Sequence, residues 1–195
     1  FQLYPGTIIL TSMFLSIVSP ITGESHFAGD SQKMLVTAYY SPLPDQERNY
    51  LGSYEEDIRF NGKGISADGT PAYAGMIAAP KEIPFGTRIE FPEFGVVGTV
   101  HDRGGRIDIT EGGTMHIDIW MGEGEEGLAR ALEWGARIVT TNVYMPPPAY
   151  VPSETFDLTL FDAPETAFDR MPSNTKTLVD ISDPTFGESN TATAA

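Results

Sequence analysis

Val100-His101-Asp102-Arg103-Gly104-Gly105 and, further along, Met115-His116-Ile117-Asp118-Ile119-Trp120-Met121-Gly122 set the pattern for the whole chain. Each half is a short apolar run that carries an aspartate, and a glycine-rich turn lies between them. Side chains alternate along a strand, so Ile117, Ile119 and Met121 are expected on one face and His116, Asp118 and Trp120 on the other. Such a segment lies on a core and shows its polar groups to the outside.

Outward from this pair the same kind of run recurs. Lys33 to Tyr40 is rich in β-branched and aromatic residues and is closed by Ser41-Pro42-Leu43-Pro44. Met76 to Pro80, Thr87 to Phe91, Gly95 to Val100 (ending at Asp102) and Arg137 to Tyr144 read as further strands, and Ile83-Pro84-Phe85-Gly86 as a turn. One helix is predicted over Glu125 to Trp134. Glu123, Glu125 and Glu126 lie where the helix dipole favours acids, Leu128, Ala131 and Leu132 form an apolar face, and Gly135 ends it. Gln46 to Gly75, polar and punctuated by glycines, is expected to be a long functional loop with at most short strands. Short strands, glycine-rich turns and one late helix predict a mainly β fold, a small barrel with one short α-helix.

With 195 residues, 41% hydrophobic and 11% aromatic, the chain can bury one sizeable core. A formal charge of -15 argues against nucleic acid or an anionic membrane surface as the main partner, since most of the surface would repel either. The absence of cysteine excludes a disulfide framework and a thiolate metal site. Thr7 to Val18 is almost continuously apolar, a length that fits a secretory hydrophobic region better than a membrane span, although Lys33 is the first basic residue. Residues 1–32 are therefore expected to be an export signal or anchor with its linker, and membrane contact is expected only through them. The domain is expected over 33–145, because Pro146-Pro147-Pro148 cannot continue a central strand. Residues 146–195 mix Pro, Ser, Thr and acids and predict a largely disordered tail, with Thr155 to Phe161 the one candidate for a docked strand.

The chemistry centres on the two aspartates. Flanked by Ile117 and Ile119, Asp118 is expected to be partly desolvated, which raises a carboxyl's pKa and suits a general acid; the alternative is an acid that merely holds the strand end. Asp102 followed by glycines is also ordinary turn chemistry, but as a partner of Asp118 it would complete the pair of carboxyl groups that a glycosidic hydrolase places around a bond. Arg103 could pair with a carboxylate, and Gly104 and Gly105 let backbone amides turn inward. Trp120, Tyr39, Tyr40, Tyr54 and Tyr73 are candidate platforms for sugar rings, with Glu55, Glu56 and Asp57 at the rim. A metal site from His101, Asp102, His116 and Asp118 is disfavoured, since adjacent residues of a regular strand face opposite ways.

Val36-Thr37-Ala38-Tyr39, Ala79-Pro80 with Ile83-Pro84-Phe85-Gly86-Thr87, Val100-His101-Asp102-Arg103-Gly104-Gly105 and His116-Ile117-Asp118-Ile119-Trp120 with Trp134-Gly135 resemble, in order and spacing, the three-aspartate domain. That family is a six-stranded double-psi β-barrel of bacterial cell-wall proteins, including membrane-bound lytic transglycosylase A, and is related to barrels of family-45 endoglucanases and expansins. The resemblance covers roughly Met34 to Tyr144. It implies Asp118 as the acid/base of peptidoglycan cleavage with Asp102 assisting, and His116, Trp120, Arg103, Tyr39, Gly104 and Gly105 around the glycan. The family's first aspartate is replaced by Ala79, with Asp68 or Asp108 as candidate substitutes. The expectation is thus an exported monomer of the cell envelope, acting on peptidoglycan or a related polysaccharide without cofactor or metal; the alternative is a non-catalytic polysaccharide-binding barrel of expansin-like type.

Overall fold

A computed structural model describes residues 30–105, 107–145 and 152–172. The N-terminal apolar segment, the Pro146-Pro147-Pro148 boundary and the end of the tail lie outside them. The fold is mainly β. Six strands, β1 (Asp30–Ser41), β2 (Met76–Ala78), β3 (Arg88–Phe91), β4 (Val96–Asp102), β5 (Met115–Glu123) and β6 (Arg137–Tyr144), close a barrel in the order β1-β5-β2-β4-β3-β6. The pairs β1·β5 and β2·β4 are parallel and the other four seams antiparallel. This closed mixed barrel is compatible with a double-psi arrangement. Closure leaves no sheet edge to protect.

The alternation expected of β5 holds: Ile117, Ile119 and Met121 are sealed in the core with Met34 and Val36 of β1, Ile77 of β2, Ile89 and Phe91 of β3 and Val100 of β4. The predicted helix, here α2 (Gly124–Trp134), packs on this barrel through Leu128 and Trp134. Its first turns lie so close to the end of β5 that a Cβ on Gly127 would meet the Gly122 carbonyl carbon at 2.4 Å. Trp134 closes the bottom of the core, donating from Nε1 to the Val36 carbonyl at 3.0 Å.

Two expectations need correction. Within the predicted loop Gln46 to Gly75 lies a second helix, α1 (Tyr54–Asn61), started by Ser53, whose hydroxyl accepts from the Glu56 amide. Its Asp57, expected at a solvent rim, is fully buried and accepts from the Tyr50 and Leu51 amides at 2.7 Å and from the Tyr40 hydroxyl. A carboxylate so partnered ties the loop to β1 and is not available to a ligand. The second correction concerns the tail. Residues 152–172 are docked: Thr155 pairs with Val97, Phe156, Leu158 and Phe161 pack against the core, and short 3-10 turns form at Leu158–Leu160 and Glu165–Arg170. Glu154 anchors this segment through Arg88 and the Thr99 hydroxyl. The three apolar side chains lie within Thr155 to Phe161, the stretch expected to dock, although only Thr155 forms a strand-like bridge.

Candidate active site

Strand register builds the site. Ala78 of β2 is the partner of Asp118 on one side and of Asp102 on the other, and Asp118 is in turn the partner of Thr37 on β1. Thr37, Asp118, Ala78 and Asp102 therefore form one row across four neighbouring strands, on the face opposite the core. Asp102 reaches this row through an irregularity. Ile77 pairs with Val100 but Ala78 pairs with Asp102, so β4 advances two residues while β2 advances one. This bulge-like shift turns Asp102 to the outer face, where regular alternation from Val100 would have sent it inward. The expectation that His101 and Asp102 face opposite ways holds only for a regular strand, and β4 is not regular there.

The row opens onto a groove of about 820 Å³. Asp118, Asp102, His116, Arg103, Tyr39, Gly104 and Gly105 all line it, so the fold brings together seven of the eight expected site residues. Trp120 is the exception. It is 6% exposed, donates from its indole to the Ser41 hydroxyl at 2.9 Å, and does not line the groove. Of the other proposed platforms, Tyr40 lines the groove, whereas Tyr54 and Tyr73 do not. Neither candidate substitute for the missing acid lies there: Asp68 pairs with His101 at 2.6 Å, and Asp108 is exposed on the β4–β5 connection. Ala79 itself belongs to the apolar core, one step along the alternation from groove-facing Ala78.

The two aspartates differ in their surroundings. Asp118 is half-buried, and its pKa is pushed up to about 6, mainly by burial and further by the Asp102 charge, against the lowering effect of the hydrogen bond from Thr37. Asp102 collects three donors: the Ala67 and Arg103 amides, each at 2.8 Å to Oδ1, and the Tyr39 hydroxyl at 3.2 Å to Oδ2. Burial first, then the charges of Asp102 and Asp118, raise the Tyr39 pKa and keep it a phenol donor. One acid is thus poised to exchange a proton near neutral pH, and the other is a fixed acceptor.

Among the described residues Arg103 forms no ion pair with a carboxylate. Its guanidinium donates to the carbonyls of Ala79, Asp102 and Ile83 and lies 3.9 Å over the Phe85 ring, stapling the chain after β2 to the end of β4. Gly104 is required by close packing, since a Cβ there would meet Ile107 at 2.3 Å. The adjacent loop is clasped to β4 twice, by Asp68 on His101 and by the Ala67 amide on Asp102, and Ala67 thereby becomes part of the groove wall.

Sequence reasoning missed Thr37, Tyr50 and Phe60 as groove residues. Thr37 was within reach, because it alternates with Tyr39 along β1. Tyr50 and Phe60 depend on α1, for which Ser53-Tyr54-Glu55-Glu56 carried a capping-box signal. Comparison with protein-family models and with curated proteins returned no match to this chain.

Proposed function

We propose that the barrel is a glycosidic-cleavage domain of the three-aspartate, lytic-transglycosylase type, acting on peptidoglycan with Asp118 as acid/base. The observation that carries this is the position of Asp118: a carboxyl with a raised pKa, opening into a groove, in one row with a second acid held as a fixed acceptor. Protonated Asp118 gives its proton to the leaving glycosidic oxygen. The resulting carboxylate then takes the proton of the muramoyl 6-hydroxyl as that oxygen attacks its own anomeric carbon, which yields a 1,6-anhydro product and needs no placed water. Asp102 lies two strand spacings away, roughly 9–10 Å between Cα atoms. Support also comes from His116, Arg103, Tyr39, Gly104 and Gly105 sharing the groove.

In this reading the apolar Thr7 to Val18 segment exports the chain to the cell envelope, where it acts as a monomer. The rival, a polysaccharide-binding barrel that does not cut, is favoured by Ala79 in place of the family's first acid. One experiment separates them. Incubation of the full chain with isolated sacculi is expected to release anhydromuropeptides detectable by mass spectrometry, and Asp118→Asn to release none. Retention on sacculi without soluble product, in both proteins alike, would decide for binding alone.

A further inference from the structure

The Asp118 side chain does not stand alone in its row. Thr37 donates its hydroxyl hydrogen to Asp118 Oδ1, and the same Thr37 oxygen lies 2.7 Å from His116 Nε2. A longer contact of 3.5 Å to the Ile117 carbonyl is the weaker claim on that hydrogen. Thr37 is β-branched and restricted at χ1, and it is the register partner of Asp118 in a parallel pair, so its hydroxyl is held in place by backbone pairing as well as by its own rotamer. Among the described residues Asp118 Oδ2 accepts no hydrogen bond, and it is not among the buried polar atoms left without a partner.

We propose that Thr37 and His116 form a hydroxyl relay that holds Asp118 Oδ1 and leaves Oδ2 as the atom that gives and takes the proton. A hydroxyl has one hydrogen and two lone pairs. An ionised carboxylate can only accept, so the Thr37 hydrogen is committed to Oδ1, and towards His116 the Thr37 oxygen can then only accept. His116 must therefore carry its hydrogen on Nε2. When Oδ2 is protonated, Oδ1 remains an acceptor and the whole chain from Nε2–H through the hydroxyl to Oδ1 is unchanged. The proton comes and goes on the groove side without any reorientation behind it. That is preorganisation of the kind electrostatic catalysis needs.

Among the described residues, the other groups around Asp118 do not duplicate this role. Asp102 and Arg103 stand at the end of β4 and Tyr39 on β1, all engaged with one another or with backbone; β2 contributes only Ala78, and α2 only Leu128, Ala131 and Leu132. Arg59 and Arg170 line the same groove from α1 and from the docked tail. Thr37 and His116 are positioning residues. Their enzymatic consequence rests on the reading of Asp118 as acid/base, but their effect on its titration does not.

The test is a carbon-13 carboxyl NMR titration of Asp118 in the full chain. Thr37→Val keeps the shape and removes the donor that favours the charged form, and is expected to raise the midpoint by about one pH unit. Thr37→Ser is expected to stay within a few tenths of the unsubstituted protein, His116→Gln, whose amide still donates, likewise, and His116→Phe to move upward. If Thr37→Val does not fold, the His116→Gln and His116→Phe pair carries the test. A folded Thr37→Val, or failing it a folded His116→Phe, that titrates with the unsubstituted protein overturns the relay. Where cleavage is measurable, the basic limb of its pH profile should move by the same amount. An inactive protein whose titration shifts as expected would uphold the relay while removing the catalytic role of Asp118.

Discussion

Asp102 and Asp118 stand on one face of the barrel two strands apart, and the single residue between them, Ala78, is the register partner of both. The side chain at that intervening register position is a single methyl group, and the Tyr39 hydroxyl reaches Asp102 beside it. Ala78→Leu is therefore expected to lower affinity for insoluble peptidoglycan at least tenfold by obstructing the groove, and to cost about 1–3 kcal/mol through overpacking. A pull-down and a urea titration of the same variant measure the two effects. Unchanged binding by the leucine variant would mean that the glycan does not cross between the acids.

The raised pKa of Asp118 makes a statement about stability as well as chemistry. Its ordinary value is 3.8 and its folded value about 6, so between these pH values the folded state binds more protons than the unfolded one. Stability contributed at this site is therefore lost as pH rises through that window, and at higher pH the buried charge is a standing cost. Asp118→Asn cannot ionise and can still accept from Thr37. It is expected to be more stable than the unsubstituted protein at pH 7 by about 2–3 kcal/mol, with the advantage vanishing below roughly pH 4. Denaturant titrations at several pH values check this, and an asparagine variant less stable at pH 7 would contradict it.

Replacing Ala79 by aspartate would restore the three-acid pattern on paper. In the structure residue 79 faces the apolar core beside Ile77 and Ile83, while groove-facing position 78 is the one flanked by the acids. An acid at 79 is expected to destabilise the fold by about 2–4 kcal/mol, because a buried carboxylate without a partner is costly. It should not increase glycan cleavage. Enhanced cleavage at undiminished stability would show that the side chain at 79 reaches the groove after all.

The barrel was legible because its strands obey a period of two: Ile117, Ile119 and Met121 mark the core face of β5 without any knowledge of the partner strands. The pairing of Asp118 with Asp102 was legible only as two acids near each other in the chain. What joins them is the shift between Ile77·Val100 and Ala78·Asp102, a non-local property that no periodicity in β4 records. Trp120 failed as a platform for a related reason. Alternation placed it on the same face as Asp118, but which part of that face stays open is decided by the segments laid over it, and Ser41 takes its indole hydrogen. The buried knot at Asp57 escaped because a charged triplet at a helix start ordinarily points to solvent, and here Tyr40 and two loop amides make the third acid a structural acceptor.

The docked tail offers the last prediction. Phe161 stacks on Phe156 with ring centroids 5.4 Å apart, meets Trp134 edge-on at 5.7 Å and lies 6.0 Å from Phe94, so one ring joins the tail, α2 and the β3–β4 turn. Trp134 in turn holds β1 through the Val36 carbonyl, next in sequence to Thr37. Removal of the ring in Phe161→Ala is expected to cost about 2 kcal/mol, less than the usual range for a fully buried phenylalanine because Phe161 is only half-buried. Aromatic pairs add to the area term, so the loss should also appear as a weakened near-ultraviolet dichroism of Trp134. Urea unfolding of the alanine variant measures the first effect and the dichroism spectrum the second. If neither moves, the tail is a passenger on the barrel; if both move, residues 152–172 are part of the domain and Pro146-Pro147-Pro148 is not its end.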